Sequence, residues 1–365
     1  MIIIGGALLY LGIAKKMEPL LLVPIGFSVI LVNLPLGGLM ESVTGGQVTD
    51  SYAIGSSPIG LLSRVFHYGI AWEIIPVFIF LGLGAMTDFG PLITNPKTLL
   101  LGAGAQFGVY FAFFVALLLG FSLPEAASIG IIGGADGPTT IYLTNRLAPH
   151  FIGATAVAAY TYMALVPIIQ PPVMRLLTTK KERAIYMKPS FRDVSRTELI
   201  LFPVIAAIII ILLVPKSAPL IGMFMLGNLL HVSGVTERLA DTAANAFINI
   251  LTVLLGLAIG AFMTAGNFLK LESLAVFGLG IVAFATSTAF GIGLAKLMNL
   301  FSKDKINPLI GAAGVSAVPM SARVVQKMGQ EANPANFLLM HAMGPNIAGV
   351  IGTAVAAGIF LGILG

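Results

Sequence analysis

At 365 residues with 57% hydrophobic and only 10% charged side chains, the chain lies far from the composition of a water-soluble domain, in which about 25% of residues are charged. There is no cysteine, which excludes disulfides, thiolate metal sites and cysteine nucleophiles. The net charge of +5 bears on how loops face a bilayer rather than on nucleic acid, and the chain reads as an all-α polytopic membrane protein.

Met1 to Ala14 is the first apolar run. Lys15-Lys16 follows it where a secretory leader would carry a small-residue cleavage site, so the run reads as a retained span, short for a full crossing. Hydropathy predicts spans over 2–14, 18–34, 72–87, 98–121 and 151–177. Between the second and third lies a stretch rich in Gly, Ser and Thr, 37–68, expected as an exposed loop with 59–70 along the interface. A second set of spans is predicted over 198–214, 217–231, 245–265, 274–299 and 334–364.

Two interruptions break this apolar pattern. Gly133-Gly134-Ala135-Asp136-Gly137-Pro138-Thr139-Thr140 places a carboxylate in a Gly/Pro cluster between the 98–121 and 151–177 spans. Asn307-Pro308-Leu309-Ile310-Gly311, running on through Ser316, Pro319 and Arg323, holds the corresponding place in the second set. An ionisable residue at bilayer depth costs about 2.5–3.5 kcal/mol, and freed backbone groups must find partners in protein or trapped water, so such segments mark sites.

The sets also correspond in residues. Glu18-Pro19-Leu20-Leu21 resembles Ala218-Pro219-Leu220-Ile221, and LGLGAMTDF (81–89) resembles LGLAIGAFMTAGNF (255–268). Five spans per set is an odd number, so the second set must run inverted relative to the first. The expected organisation is a first membrane repeat at 1–177 with a hairpin around Asp136, a basic cytoplasmic loop at 178–197, and a second, inverted repeat at 198–365 with a re-entrant or broken-helix hairpin around 307–323. Glycines at GxxxG spacing, Gly130 with Gly134 and Gly256 with Gly260, suit close helix packing.

Loop charge gives the expected sidedness. Lys15-Lys16, Lys97, the 178–197 loop and the 300–306 loop with Lys303 and Lys305 fall on one face, and the long loop carries Lys180, Lys181, Arg183, Lys188, Arg192 and Arg196 against Glu182 and Asp193. By the positive-inside rule that face is cytoplasmic, which puts the C-terminus outside the cell membrane and sends the two hairpins in from opposite sides.

Asp136 offers anionic oxygen where carbonyls leave the helical ladder, a donor set suited to a small hard cation such as Na⁺ or to H⁺. It also suits a plain helix cap before Gly137-Pro138. Asn346, in the Gly344-Pro345 break of the last span, adds a neutral amide oxygen, and Asn307 and Ser316 add two more on the second hairpin. Tyr160 and Tyr162 are phenols that suit orienting the site or relaying a proton, or simple packing. Arg323, followed one turn later by Lys327, suits a carboxylate-bearing substrate or a residue reaching for the interface. His150, His231 and His341 have no ligand spacing with other donors. No GxxxxGK[ST] loop is present, so ATP is not expected to be hydrolysed.

Long strings carry a family resemblance: GGADGPTTIYLTNRLAPH (133–150), AAYTYMALVPIIQPPVMR (158–175), LGLGAMTDFGPLITNP (81–96), NPLIGAAGVSAVPMSARV (307–324) and HAMGPNIAGVIGTAVAAG (341–358). The chain resembles the β subunit of the biotin-dependent, sodium-translocating decarboxylases, which serve oxaloacetate, methylmalonyl-CoA, glutaconyl-CoA and related substrates. Family members usually carry an additional helix before the position of Met1. The resemblance implies that carboxybiotin, held on a partner and not on this chain, is decarboxylated while Na⁺ is exported and a proton taken up. It implies as partners a carboxyltransferase subunit, a biotin carrier protein or domain and a small membrane subunit, with a homo-oligomer expected. Carried over by position, Asp136, Asn346 and Ser316 resemble the sodium-site and coupling residues, with Asn307 and Gly311 lining the second hairpin. Tyr162 resembles the functional tyrosine and Arg323 the arginine near the carboxybiotin end, with Tyr160 and Asn307 beside the substrate. The alternative reading is a Na⁺-coupled secondary transporter, a Na⁺/carboxylate symporter or Na⁺/H⁺ antiporter without decarboxylase activity. A third, a membrane anchor for a peripheral complex, leaves Asp136 unexplained.

Overall fold

The structure is a computed structural model that describes residues 1–44, 47–49, 56–188, 192–302 and 304–365. Lys303 and parts of the predicted 37–68 and 178–197 loops lie outside the described residues.

The chain folds as a helical membrane protein, and each predicted span is a helix whose ends fall within a few residues of the hydropathy limits. In order, α1 (Ile2–Ile13) and α2 (Pro19–Val32) precede three short strands, β1 (Ser42–Thr44), β2 (Gln47–Thr49) and β3 (Ser57–Pro58), in the order β2-β1-β3. Next come α3 (Leu61–Phe66), a π turn at His67–Ala71, α4 (Ile74–Ala85), α5 (Gly90–Thr94) and α6 (Thr98–Leu118). The first hairpin is α7 (Leu123–Gly130), a 3₁₀ turn at Ile131–Gly134 and α8 (Gly137–Leu147), followed by α9 (Ile152–Leu177). After α10 (Lys180–Arg183) the second half runs α11 (Arg196–Leu213), α12 (Ala218–Val232), α13 (Glu237–Thr242), a π turn at Ala243–Phe247, α14 (Ile248–Phe262), α15 (Ala265–Phe268) and α16 (Leu271–Phe301). The second hairpin is a 3₁₀ helix at Pro308–Gly314 and α17 (Met320–Ala332), and α18 (Leu339–Leu364) closes the chain.

Among the described residues, Thr98–Leu118, Arg196–Leu213, Glu237–Phe262, Leu271–Phe301 and Leu339–Leu364 are long and apolar enough to cross a membrane singly. The expected crossings by α1 and α2 meet a length limit: at 1.5 Å per residue their 12 and 14 residues reach roughly 18 and 21 Å, short of a ~30 Å hydrocarbon core. Two helix pairs are long and apolar enough only when each is taken together, across a bend of 62° between Leu61–Ala71 and Ile74–Ala85 and of 67° between Pro149–Met163 and Leu165–Leu177. α11 turns Leu201, Ile205, Ile208, Ile209, Leu212 and Leu213 outward, an apolar exterior that only lipid or protein can cover.

Glycine sets the helix spacings. A Cβ on Gly5 would stand 2.7 Å from the Gly26 carbonyl oxygen, and one on Gly26 would stand 2.8 Å from that of Gly5, which locks α1 to α2. Gly256 and Gly260 seat α14 against Pro24, Ile25 and Ser28 of α2, while Gly84 and Gly227 bring α4 onto α12. Ser28 Oγ donates to the Leu257 carbonyl at 2.7 Å in the first of these pairs, and Asn228 Nδ2 to the Thr87 carbonyl at 2.6 Å in the second. Around the hairpins α6 packs on α18 and α9 on α16, with α6 and α16 against each other in the middle.

Gly291 of α16 and Gly311 of the second hairpin touch so closely that a Cβ on either would fall on the other's carbonyl oxygen. Gly291→Leu is therefore expected to wedge the hairpin off α16 and cost about 3 kcal/mol or more of stability, as overpacking of a tight contact does. Gly293→Leu, two residues on and facing open space, is the control and should leave the thermal midpoint in detergent unchanged.

Candidate functional site

The first hairpin enters the bundle as α7, whose start is closed by Glu125: Ser122 N and Oγ both donate to Glu125 Oε2, at 2.9 and 2.7 Å. The helix tightens into the 3₁₀ turn and stops at Ala135, which is left-handed at φ 54°. Asp136 then adopts an extended conformation as the N-cap of α8, with Oδ1 accepting from Thr139 N at 3.1 Å and Pro138 in the first turn. This is the capping geometry that the sequence allowed. It uses one carboxylate oxygen only, because Asp136 Oδ2 is buried with no hydrogen-bond partner.

The second hairpin comes to meet it. Asn307 caps the 3₁₀ helix through Leu309 N at 3.1 Å, the chain leaves that helix extended at Val315, and Ser316 reaches the first hairpin. Ser316 donates twice to the Gly134 carbonyl, from N at 2.8 Å and from Oγ at 2.9 Å. The two interruptions therefore touch two residues from Asp136.

Oxygen collects around this contact. The hydroxyls of Thr139 and Ser316 lie close enough to act on the Asp136 carboxylate, and Thr139 Oγ1 is itself buried without a partner. Tyr160 of α9 lays its ring against Gly137, where a Cβ would stand 2.7 Å from the phenol oxygen. That oxygen is buried, unpartnered and within electrostatic reach of Asp136. Asn346 of α18 donates Nδ2 to the carbonyls of Ala313 and Val315, at 3.1 and 2.7 Å, and keeps Oδ1 buried and unpartnered beside the same stretch. Buried polar atoms without partners are rare in a folded interior, and several at one crossing are oxygens of the kind that could hold a cation or proton.

A supporting layer fixes the crossing. Thr353 of α18 stands behind Gly134, its Oγ1 2.7 Å from where a Cβ would be, and donates to Gln106 Oε1 of α6 at 3.3 Å. Gln170 of α9, fully buried, donates to the Ala312 carbonyl at 2.9 Å.

The other predicted site residues stand elsewhere. Asn307 lies at the root of the second hairpin with its amide spent on the Arg183 and Ile185 carbonyls at 2.8 and 2.9 Å, so it braces α10 rather than facing Asp136. Gly311 is a packing contact with Gly291. Tyr162 turns its hydroxyl to the Phe277 carbonyl of α16 and its ring to Gly280. Arg323 is exposed on α17, within electrostatic reach of Glu18 at the start of α2. Thr139 was not singled out in the sequence, although its place three residues after an N-cap aspartate is where the capped amide must lie.

Residues 1–364 match the family described as Na⁺-transporting oxaloacetate decarboxylase beta subunit. The chain belongs to that family. It is 56% identical over 376 residues to the methylmalonyl-CoA decarboxylase subunit beta of Propionigenium modestum, a match covering all of this chain and 94% of that protein. To the subunit of the same description in Veillonella parvula it is 57% identical over 364 residues, covering 100% of this chain and 92% of the relative. To the oxaloacetate decarboxylase beta chain of Klebsiella pneumoniae it is 51% identical over 407 residues, covering 99% and 94%. Membership of this family agrees with the reading as a membrane subunit of a sodium pump made from the motifs, and the strings that carried that reading include both strands of the hairpin crossing.

Proposed function

We propose that this chain is the carboxybiotin decarboxylase of a sodium pump, exporting Na⁺ and taking up a proton at Asp136 as CO₂ is released. The carrying observation is the buried Asp136 carboxylate with one free oxygen at the contact between the hairpins. Na⁺, the cargo, would be held by Asp136 Oδ2 with the oxygens of Ser316, Thr139, Asn346 and Tyr160.

Coupling follows from charge. An empty anionic carboxylate in this interior is expensive, whereas Na⁺ or H⁺ each neutralises it. The site therefore trades one cation for the other instead of standing vacant. Decarboxylation requires a proton: the N–CO₂⁻ bond breaks, CO₂ leaves and the proton ends on the biotin nitrogen. Biotin would arrive on a carrier protein or domain loaded by a carboxyltransferase subunit, with a small membrane subunit and further copies of this chain completing the assembly. Arg323, exposed seven residues beyond Ser316 on the same hairpin, is the cation for the arriving carboxylate.

The halves 1–177 and 198–365 act in this reading as inverted repeats joined by the 178–197 loop, which faces the cytoplasm with the C-terminus outside. Reciprocal packing supports it. The α2–α14 and α4–α12 pairs exchange corresponding helices between halves, as do α6–α18 and α9–α16, and both α4 and α14 follow π turns.

The phenol is tested apart from the carboxylate. Tyr160→Phe removes a buried oxygen that makes no hydrogen bond, so stability should hold while the Na⁺ concentration for half-maximal decarboxylation rises by about threefold to tenfold, the loss of one neutral ligand. An unchanged Na⁺ requirement would remove Tyr160 from the site. For the function as a whole, Na⁺-dependent CO₂ release from carboxybiotin by the purified, reconstituted complex is the decisive assay, and transport of Na⁺ with no such release would overturn the reading.

A further inference from the structure

α8 has Asp136 at one end and a second, unrelated fixture at the other. Arg146, in its last turn, forks onto Glu73, with Nε donating to Oε1 at 2.5 Å and Nη2 to Oε2 at 2.7 Å. Its guanidinium lies 5.1 Å from the ring centre of Tyr142, one turn back on α8 and itself buried. Asn145 adds a bond from Nδ2 to the Ala71 carbonyl at 3.1 Å.

The partner segment is a hinge in its own right. Ala71 ends the π turn, and Glu73 is left-handed at φ 62°, in the 62° bend that separates α3 and that turn from α4. A non-glycine residue held in that region is strained and is kept there by its surroundings. The Glu73 side chain is 14% exposed and that of Arg146 is 41% exposed, so the pair is part-sheltered and bidentate, the geometry in which an ion pair is worth most. Between the pair and Asp136 the residues of α8 from Gly137 to Thr144 are buried, so the helix seals the carboxylate from the face on which the first hairpin is rooted.

We propose that Glu73 and Arg146 form a latch that keeps the ion site shut toward that face and must part for the cation to leave. α8 is a rigid rod of 11 residues, roughly 16 Å long, so freeing its Arg146 end lets the Asp136 end swing. The contact is two-state: the fork is made or broken, and the strained Glu73 backbone favours release once the guanidinium goes. This inference rests on Asp136 being the ion site.

The test uses the complete reconstituted complex in proteoliposomes, recording ²²Na⁺ moved and CO₂ released together. Glu73→Gln keeps the size and removes the charge. Passive ²²Na⁺ leak without carboxybiotin should rise about fivefold, and Na⁺ moved per CO₂ should fall by a similar factor while CO₂ release continues. The exchanged pair Glu73→Arg with Arg146→Glu should restore the ratio. A ratio that stays constant while both rates fall together would overturn the latch and leave a merely structural pair. Should the charge variants not fold, the cysteine-free chain allows Glu73→Cys with Arg146→Cys, bridged by a bis-methanethiosulfonate long enough to replace both side chains. Bridged protein should stop moving Na⁺ and recover with dithiothreitol, and bridged protein that still transports refutes the proposal. If Asp136→Asn still moves Na⁺ as CO₂ is released, it is the ion-site reading that fails.

Discussion

Asp136→Asn is expected to abolish ²²Na⁺ transport and carboxybiotin turnover together while leaving the protein folded. Asparagine caps helices as well as aspartate does, so the bond from Thr139 N at 3.1 Å survives and α8 still begins at the same residue. The negative charge does not survive. A buried cation that loses the Asp136 charge, the one buried carboxylate among the described residues, is left uncompensated, at a cost of about 3 kcal/mol or more, roughly a hundredfold or greater in Na⁺ affinity. Without Na⁺, stability should rise or hold, because asparagine keeps the capping bond at Oδ1 and brings no charge that must be neutralised. Measured without Na⁺, activity loss with an equal or higher thermal midpoint is the signature of a site residue. Loss of activity with a collapse of the midpoint would reassign Asp136 to structure, and undiminished transport would refute its role outright.

Helix positions are legible in this chain because lipid-facing and core-facing segments are both apolar, and hydropathy marks the length of a run without needing to know its neighbours. The hairpins are legible for the opposite reason: Gly133-Gly134 beside Asp136, and Asn307-Pro308, break the apolar pattern with polar groups. What hydropathy does not carry is rotation about a helix axis. Tyr160 and Tyr162 are two residues apart, about 200° around an α-helix, so only one of them can face Asp136. The structure turns Tyr160 to Gly137 and Tyr162 to the Phe277 carbonyl. Distance along an element is hidden in the same way. Pro308–Gly314 rises as a seven-residue 3₁₀ helix, about 14 Å at 2.0 Å per residue, and that rise separates Asn307 at the root from Ser316 at the tip. Glu73 and Arg146 lie 73 residues apart and share no motif, so their pairing is tertiary information alone.

Asn346→Ala separates the bracing role of this side chain from the proposed ligand role. Its Nδ2 ties the Ala313 and Val315 carbonyls to α18, at 3.1 and 2.7 Å, immediately before Ser316 crosses to Gly134, while Oδ1 is buried without a partner and is the oxygen proposed for the cation. Truncation strands two buried carbonyls at about 1–3 kcal/mol each, so the thermal midpoint without Na⁺ should fall by about 5–10 °C. The Na⁺ titration of that midpoint reads the second role. A cation that binds only the folded protein stabilises it by RT ln(1 + [Na⁺]/Kd) and so raises the midpoint, and a lost ligand shifts that rise to higher Na⁺ whatever the starting value. With Oδ1 as a ligand, the rise in Asn346→Ala should need about tenfold more Na⁺ than in the wild type, with K⁺ ineffective in both. If the midpoint drops but the Na⁺ response keeps its wild-type concentration dependence, Asn346 is a brace for the second hairpin, and the cation is held by Asp136 and the hydroxyls alone.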